Sequence, residues 1–122
     1  MLFALLGLPL AACTSAPAER LPEGTWTGTF TPMNHPDMHA PVTYDVRYAD
    51  AALALSITAP DGTPLPARDV AYTADALRFT FDEPDANVPL DCTLDAEATG
   101  FAGRCTDAEG KWARFTMRPP EK

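Results

Sequence analysis

From Thr25 to Arg118 apolar and polar residues alternate in short runs, each closed by a turn signal. Trp26, Gly28 and Phe30 share one side of the first run. Val42, Tyr44, Val46 and Tyr48 alternate with Thr43, Asp45 and Arg47 in the second, and Leu53, Leu55 and Ile57 with Ala54, Ser56 and Thr58 in the third. Val70 and Tyr72 mark a fourth, and Leu77, Phe79 and Phe81 a fifth. Val88, Leu90, Cys92 and Leu94 form the sixth, Phe101, Gly103 and Cys105 the seventh, and Ala113, Phe115 and Met117 the eighth. Successive side chains of a strand point to opposite faces, so this period of two predicts half-buried antiparallel strands. No stretch of useful length carries a helical period.

The links between runs are short and turn-like: Ala49-Asp50-Ala51, Pro60-Asp61-Gly62, Ala74-Asp75, Ala96 to Gly100 and Asp107 to Gly110. Short links make consecutive strands spatial neighbours, which predicts a meander. The expected fold is all-β, a single antiparallel eight-stranded up-and-down barrel, because closing the sheet removes both edges. A two-sheet β-sandwich is the alternative. The inward set is rich in aromatic residues, so the interior is expected to be mostly filled, with a shallow cup at one end.

Composition narrows the class further. Nine basic against 17 acidic residues give a formal net charge of −8, which excludes a basic nucleic-acid surface. Hydrophobic content of 46% is that of a globular chain. The apolar run Leu2 to Leu10 is too short to span a bilayer and has the length of a signal-peptide hydrophobic region. It ends in Leu10-Ala11-Ala12-Cys13, which resembles the bacterial lipobox. The resemblance implies removal of residues 1–12 and lipid attachment at Cys13. Residues 13–23 then read as a polar, Pro-containing tether, 24–118 as the barrel and 119–122 as a tail. It also implies a cell-envelope location, with the membrane as partner. Thr14 stands where an Asp retention signal would be, which points to the outer membrane, facing the periplasm or the cell surface.

In that compartment Cys92 and Cys105, the remaining pair, are expected to form a disulfide; a two-thiol metal site or two core cysteines are the alternatives. Pairing them directly across a hairpin centres its turn between Ala98 and Thr99. It also sets Leu94 opposite Gly103 and Ala96 opposite Phe101. Both cysteines share parity with the inward residues of their strands.

Gly24-Thr25-Trp26 resembles the G-x-W signature of lipocalins and related calycin barrels. In that family the tryptophan plugs one barrel end and an arginine near the last strand stacks over it. The resemblance implies Trp26 as the plug and Arg114 or Arg118 as the stacking cation.

The first connection, Thr31 to Pro41, is longer than a usual hairpin loop. It gathers both histidines, His35 and His39, with Met33 and Met38. Imidazole and thioether suit copper, the thioether selecting Cu(I), and Asp37 adds an oxygen donor. The loop's position is similar to that of the Cys-x-x-Cys loop in envelope copper-response lipoproteins, although no cysteine stands there in this chain. Catalytic signatures are missing: no serine elbow, no H-E-x-x-H and no phosphate-binding glycine loop occur. The expected role is therefore a non-catalytic binding or structural module of the envelope. Its alternatives are copper binding or envelope sensing through residues 33–39, or carriage of a small apolar ligand in the cup. An envelope protein is a further candidate partner.

Overall fold

The computed structural model describes residues 20–84 and 87–120; the lipobox, Cys13 and most of the expected tether lie outside them. Every regular element among the described residues is a strand: β1 (Gly24–Pro32), β2 (Ala40–Ala49), β3 (Ala52–Thr58), β4 (Pro64–Pro66), β5 (Arg68–Tyr72), β6 (Ala76–Glu83), β7 (Val88–Glu97), β8 (Gly100–Thr106) and β9 (Trp112–Met117). They form one antiparallel sheet in the order β4-β3-β2-β1-β9-β8-β7-β6-β5. The first and last strands pair, Phe30 facing Phe115 and Thr31 facing Arg114. The two ends of that order, β4 and β5, are joined through Ala67 alone. The sheet therefore wraps into a nearly closed up-and-down barrel, not a sandwich.

Nine strands replace the expected eight because Pro64–Pro66, ahead of the expected fourth run at Val70 and Tyr72, is a strand as well, and the two make one bent stretch. Its first half, β4, pairs with β3, Leu65 opposite Ile57. Its second half, β5, pairs with β6, Tyr72 opposite Leu77. Between the halves Ala67 N–H still donates to the Leu55 carbonyl, at 2.9 Å. Asp69 then takes a positive φ of 53° and the register shifts between Arg68 and Ala71. Such a bulge turns a strand and lets one segment leave one neighbour for another. Pro64 and Pro66 hide the first half from a pattern reading, since proline supplies no ladder donor.

The expected alternation sets the interior. Trp26, Val42, Tyr44, Val46, Leu55, Ile57, Leu77, Phe79, Phe81, Leu94, Phe101, Phe115 and Met117 are all buried, with Cys92 and Cys105 among them. Cys92 faces Cys105, Leu94 faces Gly103 and Ala96 faces Phe101, the register of the expected hairpin. The two cysteines form a disulfide that staples β7 to β8. Asp50 and Ala51, both at positive φ, make the two-residue turn between β2 and β3, whose twist matches that of the strands.

The expected boundary between tether and barrel is corrected. Leu21 is 1% exposed and belongs to the core. Its carbonyl accepts the Tyr48 hydroxyl at 2.7 Å, and the Pro22 carbonyl accepts the Trp26 indole N–H at 3.0 Å. Arg20 lies 3.8 Å over the Tyr48 ring. An apolar residue inside a polar stretch carries no period of its own, so pattern reading places it with the tether.

Tyr44 of β2 is fully buried and reaches past β1, its hydroxyl donating to the Thr116 carbonyl of β9 at 2.8 Å. Burial disfavours the phenolate and pushes the Tyr44 phenol far above its ordinary value. A group whose folded pKa is raised contributes stability that is complete below its unfolded pKa of about 10 and is lost as pH climbs beyond it. Alkaline titration is expected to release the Tyr44 phenolate only together with loss of the β-sheet circular dichroism. In Tyr44→Phe the alkaline slope of stability should shrink. Ionisation of Tyr44 in the still-folded barrel would contradict the burial argument.

Candidate functional site

Strand directions sort the residues between two barrel ends. One end holds the start of β1, the β2–β3 turn and the β8 start, and the segment from Arg20 to Glu23 caps it. There Trp26 packs against Phe101, ring centroids 5.9 Å apart, and Phe101 against Tyr72 at 6.2 Å. The expected stacking cation is corrected. Arg114 and Arg118 are exposed on the outward parity of β9 and its extension, whereas Trp26 is 3% exposed inside. Alternation makes these positions incompatible: Arg114, between inward Ala113 and Phe115, and Arg118, next after inward Met117, face solvent. The indole is held instead by the Pro22 carbonyl and Phe101.

The opposite end is open. Here Phe30, Val42, Ile57, Leu65, Phe81, Leu90, Ala113 and Phe115 surround a cup of about 150 Å3. Ala59 and Pro60 from the turn after β3 and Pro84 after β6 form its rim, with Glu83 beside them. Phe115 is the floor's hub, packing on Phe30 at 5.6 Å and edge-on to Phe81 at 6.1 Å. The turn from Ala59 to Thr63 is closed by hydrogen bonds: Gly62 N–H donates to the Ala59 carbonyl at 2.9 Å, Asp61 accepts the Thr63 amide at 3.0 Å, and Gly62 takes a φ of 92°. Hydrogen bonding from Thr63, its side chain first and its amide second, holds the Asp61 carboxyl below its usual range. Small inward Ala113, standing where neighbouring strands place bulkier residues, leaves this end unfilled. The alternation named the inward residues at this end but not the void, which depends on how far each side chain reaches across.

The Met/His loop spans 33–39 beside this open end. Met33 N–H donates to the Trp112 carbonyl at 3.0 Å, and Met38 N–H to the His35 carbonyl at 3.0 Å, closing a turn. Met33 and Met38 are 40% and 44% exposed. His39 leaves the loop: its Nδ1 lies 2.7 Å from the Thr31 hydroxyl on the outer face. His35, Asp37 and Met38 line an open concavity at the loop tip with Asn34 and Pro36. Among the described residues no three His, Cys, Asp or Glu side chains are grouped to hold a metal.

No protein-family model matches the chain, and no curated protein does. Solved structures do. The chain is similar to a redesigned β-barrel, b11L5F_LGL, with a TM-score of 0.61 at 20% identity, over 81% of this chain and 91% of that one. It is also similar to a redesigned β-barrel, mFAP1, bound to DFHBI, with a TM-score of 0.55 at 19% identity, over 80% and 94% of the two chains. A third likeness is to a fluorescence-activating β-barrel of de novo design, with a TM-score of 0.55 at 16% identity, over 84% and 97%. At such identities the likeness speaks for the fold. The chain is a small antiparallel β-barrel, the architecture that the G-x-W resemblance implied.

Proposed function

We propose that this protein is a lipid-anchored cell-envelope barrel that binds, without catalysis, a small apolar group in its open cup. The single observation that carries the binding role is the apolar void of about 150 Å3 lined by Phe30, Ile57, Leu65, Phe81, Ala113 and Phe115. Drug-sized ligands occupy clefts of about 300–1,000 Å3, whereas an apolar cavity of about 150 Å3 accepts benzene. The cup thus suits one unsubstituted ring or the end of an alkyl chain. That mFAP1 is bound to DFHBI supports a barrel of this kind as a ligand holder. The anchor reading is supported by the lipobox-like Leu10-Ala11-Ala12-Cys13. Arg20 to Glu23, the described residues nearest the lipobox in sequence, lie at the capped end, opposite the cup. Copper binding has no comparable support, because His39 is turned to Thr31 and away from the loop tip.

Titration with benzene, toluene and pentane, followed by amide NMR, should shift resonances of Phe30, Phe81, Ala113 and Phe115. Ala113→Leu fills the cup and should remove the response while leaving the fold intact. No shift at the open end in the wild type would end the cup reading. Cys13→Ala, expressed in a lipoprotein-processing bacterium, should move the protein from the membrane to the soluble fraction. Wild type that carries no lipid by mass spectrometry would end the anchor reading separately.

A further inference from the structure

On the outer face of β1 and β9, a groove of about 390 Å3 runs beside the Met/His loop. Thr29, Thr31 and Thr116 form its base, Trp112 and Pro36 its walls, and Arg114 and His39 lie along it. It is separate from the cup, whose residues have the opposite parity on the same strands. Arg104 of β8 covers one face of the Trp112 ring, with the guanidinium carbon 4.3 Å from the centroid. Arg104 comes from the β8 side and the threonines from the β1 side, and Trp112 between them lines the groove.

The charge placement is unusual for this chain. Arg104 and Arg114 are register partners on adjacent strands. Like charges directly opposite each other destabilise a sheet. Neither arginine has a carboxylate within ion-pair distance among the described residues, although acidic residues outnumber basic ones by 17 to 9. Arg104 is taken up by the Trp112 ring and shares an outer concavity with Asp91, Asp95 and Glu97, so Arg114, which lines the groove as well, is the guanidinium that can meet an anion there. The remaining lining defines the rest of the ligand. An indole face offers an apolar platform for the C–H face of a pyranose ring. Thr29 pairs with Thr116 and Thr31 with His39 Nδ1, which leaves the second His39 ring nitrogen and the spare hydroxyl lone pairs for hydrogen bonds with hydroxyl groups. Arg114 presents a planar fork that matches a carboxylate.

We propose that this groove binds a pyranose carrying a carboxylate, the unit of an acidic saccharide, stacked on Trp112 and paired through Arg114. The proposal is independent of the cup. Titration of the full chain with glucuronate and a glucuronate oligomer, followed by the Trp112 indole resonance, tests it. Both should move that resonance at millimolar concentration while the Trp26 indole stays still. Arg114→Ala should weaken binding about tenfold or more, the effect of losing a charge-assisted hydrogen bond. Arg114→Lys should restore part of it, and Ala113→Leu should leave it unchanged. Thermal melting of each variant checks that the barrel is intact. Equal binding of neutral glucose, an equal response to acetate alone, or undiminished binding by folded Arg114→Ala would each overturn the proposal. So would a still Trp112 resonance.

Discussion

Gly28→Ala is expected to cost at least about 3 kcal/mol, the upper range for forcing a group into a packed interior. A methyl group built at Gly28 collides with the Thr116 carbonyl oxygen and lies 2.7 Å from the carbonyl carbon. Both atoms are backbone and cannot swing aside. The Thr116 carbonyl is further held by the Tyr44 hydroxyl, so relief at one point breaks a bond at another. Gly28 has no positive φ. Alanine there would otherwise gain stability by restricting the unfolded chain, which makes the expected sign informative. Gly62→Ala and Gly110→Ala are the contrast. An added methyl meets nothing at either site, and the backbone strain at φ of 92° and 89° is the only cost. Thermal melting should show Gly28→Ala lowered by about 12 °C or more. Both turn variants should lose less. A Gly28→Ala protein that melts with wild type would refute the close approach of β1 and β9.

Removing the disulfide is the second large effect. Cys92 and Cys105 are 13 residues apart, and a bridge closing a loop of that order contributes about 3 kcal/mol by limiting the unfolded chain. For a domain whose net stability is about 5–15 kcal/mol, that is a large share. The double variant Cys92→Ala, Cys105→Ala should melt well below wild type, and excess reductant should bring wild type down towards it. The barrel should still form. The pairing of Phe79 with Cys92 and Leu94 with Gly103 is set by which residues must be inside, and one slip would turn every one of them outward. Unchanged melting of a fully reduced protein would remove the stapling role from the bridge.

How much was legible in the chain differs from place to place. The run from Val88 to Cys105 was readable to the residue pair, because alternation, a short turn and two inward cysteines all demand one register. The run from Pro64 to Tyr72 was half readable. Its prolines and the bulge at Asp69 break the period at the point where the strand changes partners. Leu21 was not readable, since a lone apolar residue among polar ones has no pattern to join. Trp26 was readable as a buried aromatic, but its stacking arginine was assigned by family likeness, and the parity of β9 puts Arg114 and Arg118 outside. For the candidate sites the gap is wider. The cup and the outer groove each draw on strands and turns far apart in the chain, so neither leaves a local motif.

What the sequence by itself determined is therefore the inside and outside of each strand, the order of neighbours and the disulfide. These follow from a two-residue period and short links, both local properties of the chain. What only the tertiary structure decided is which end is sealed and which is open, and which outward residues become companions. Those depend on the tilt and bend of the closed sheet. Closure brings Leu21 under Tyr48 at one end and leaves Ala113 short of its neighbours at the other. It also sets Arg114 between Thr31 and Arg104, contacts created when the last strand returns to the first.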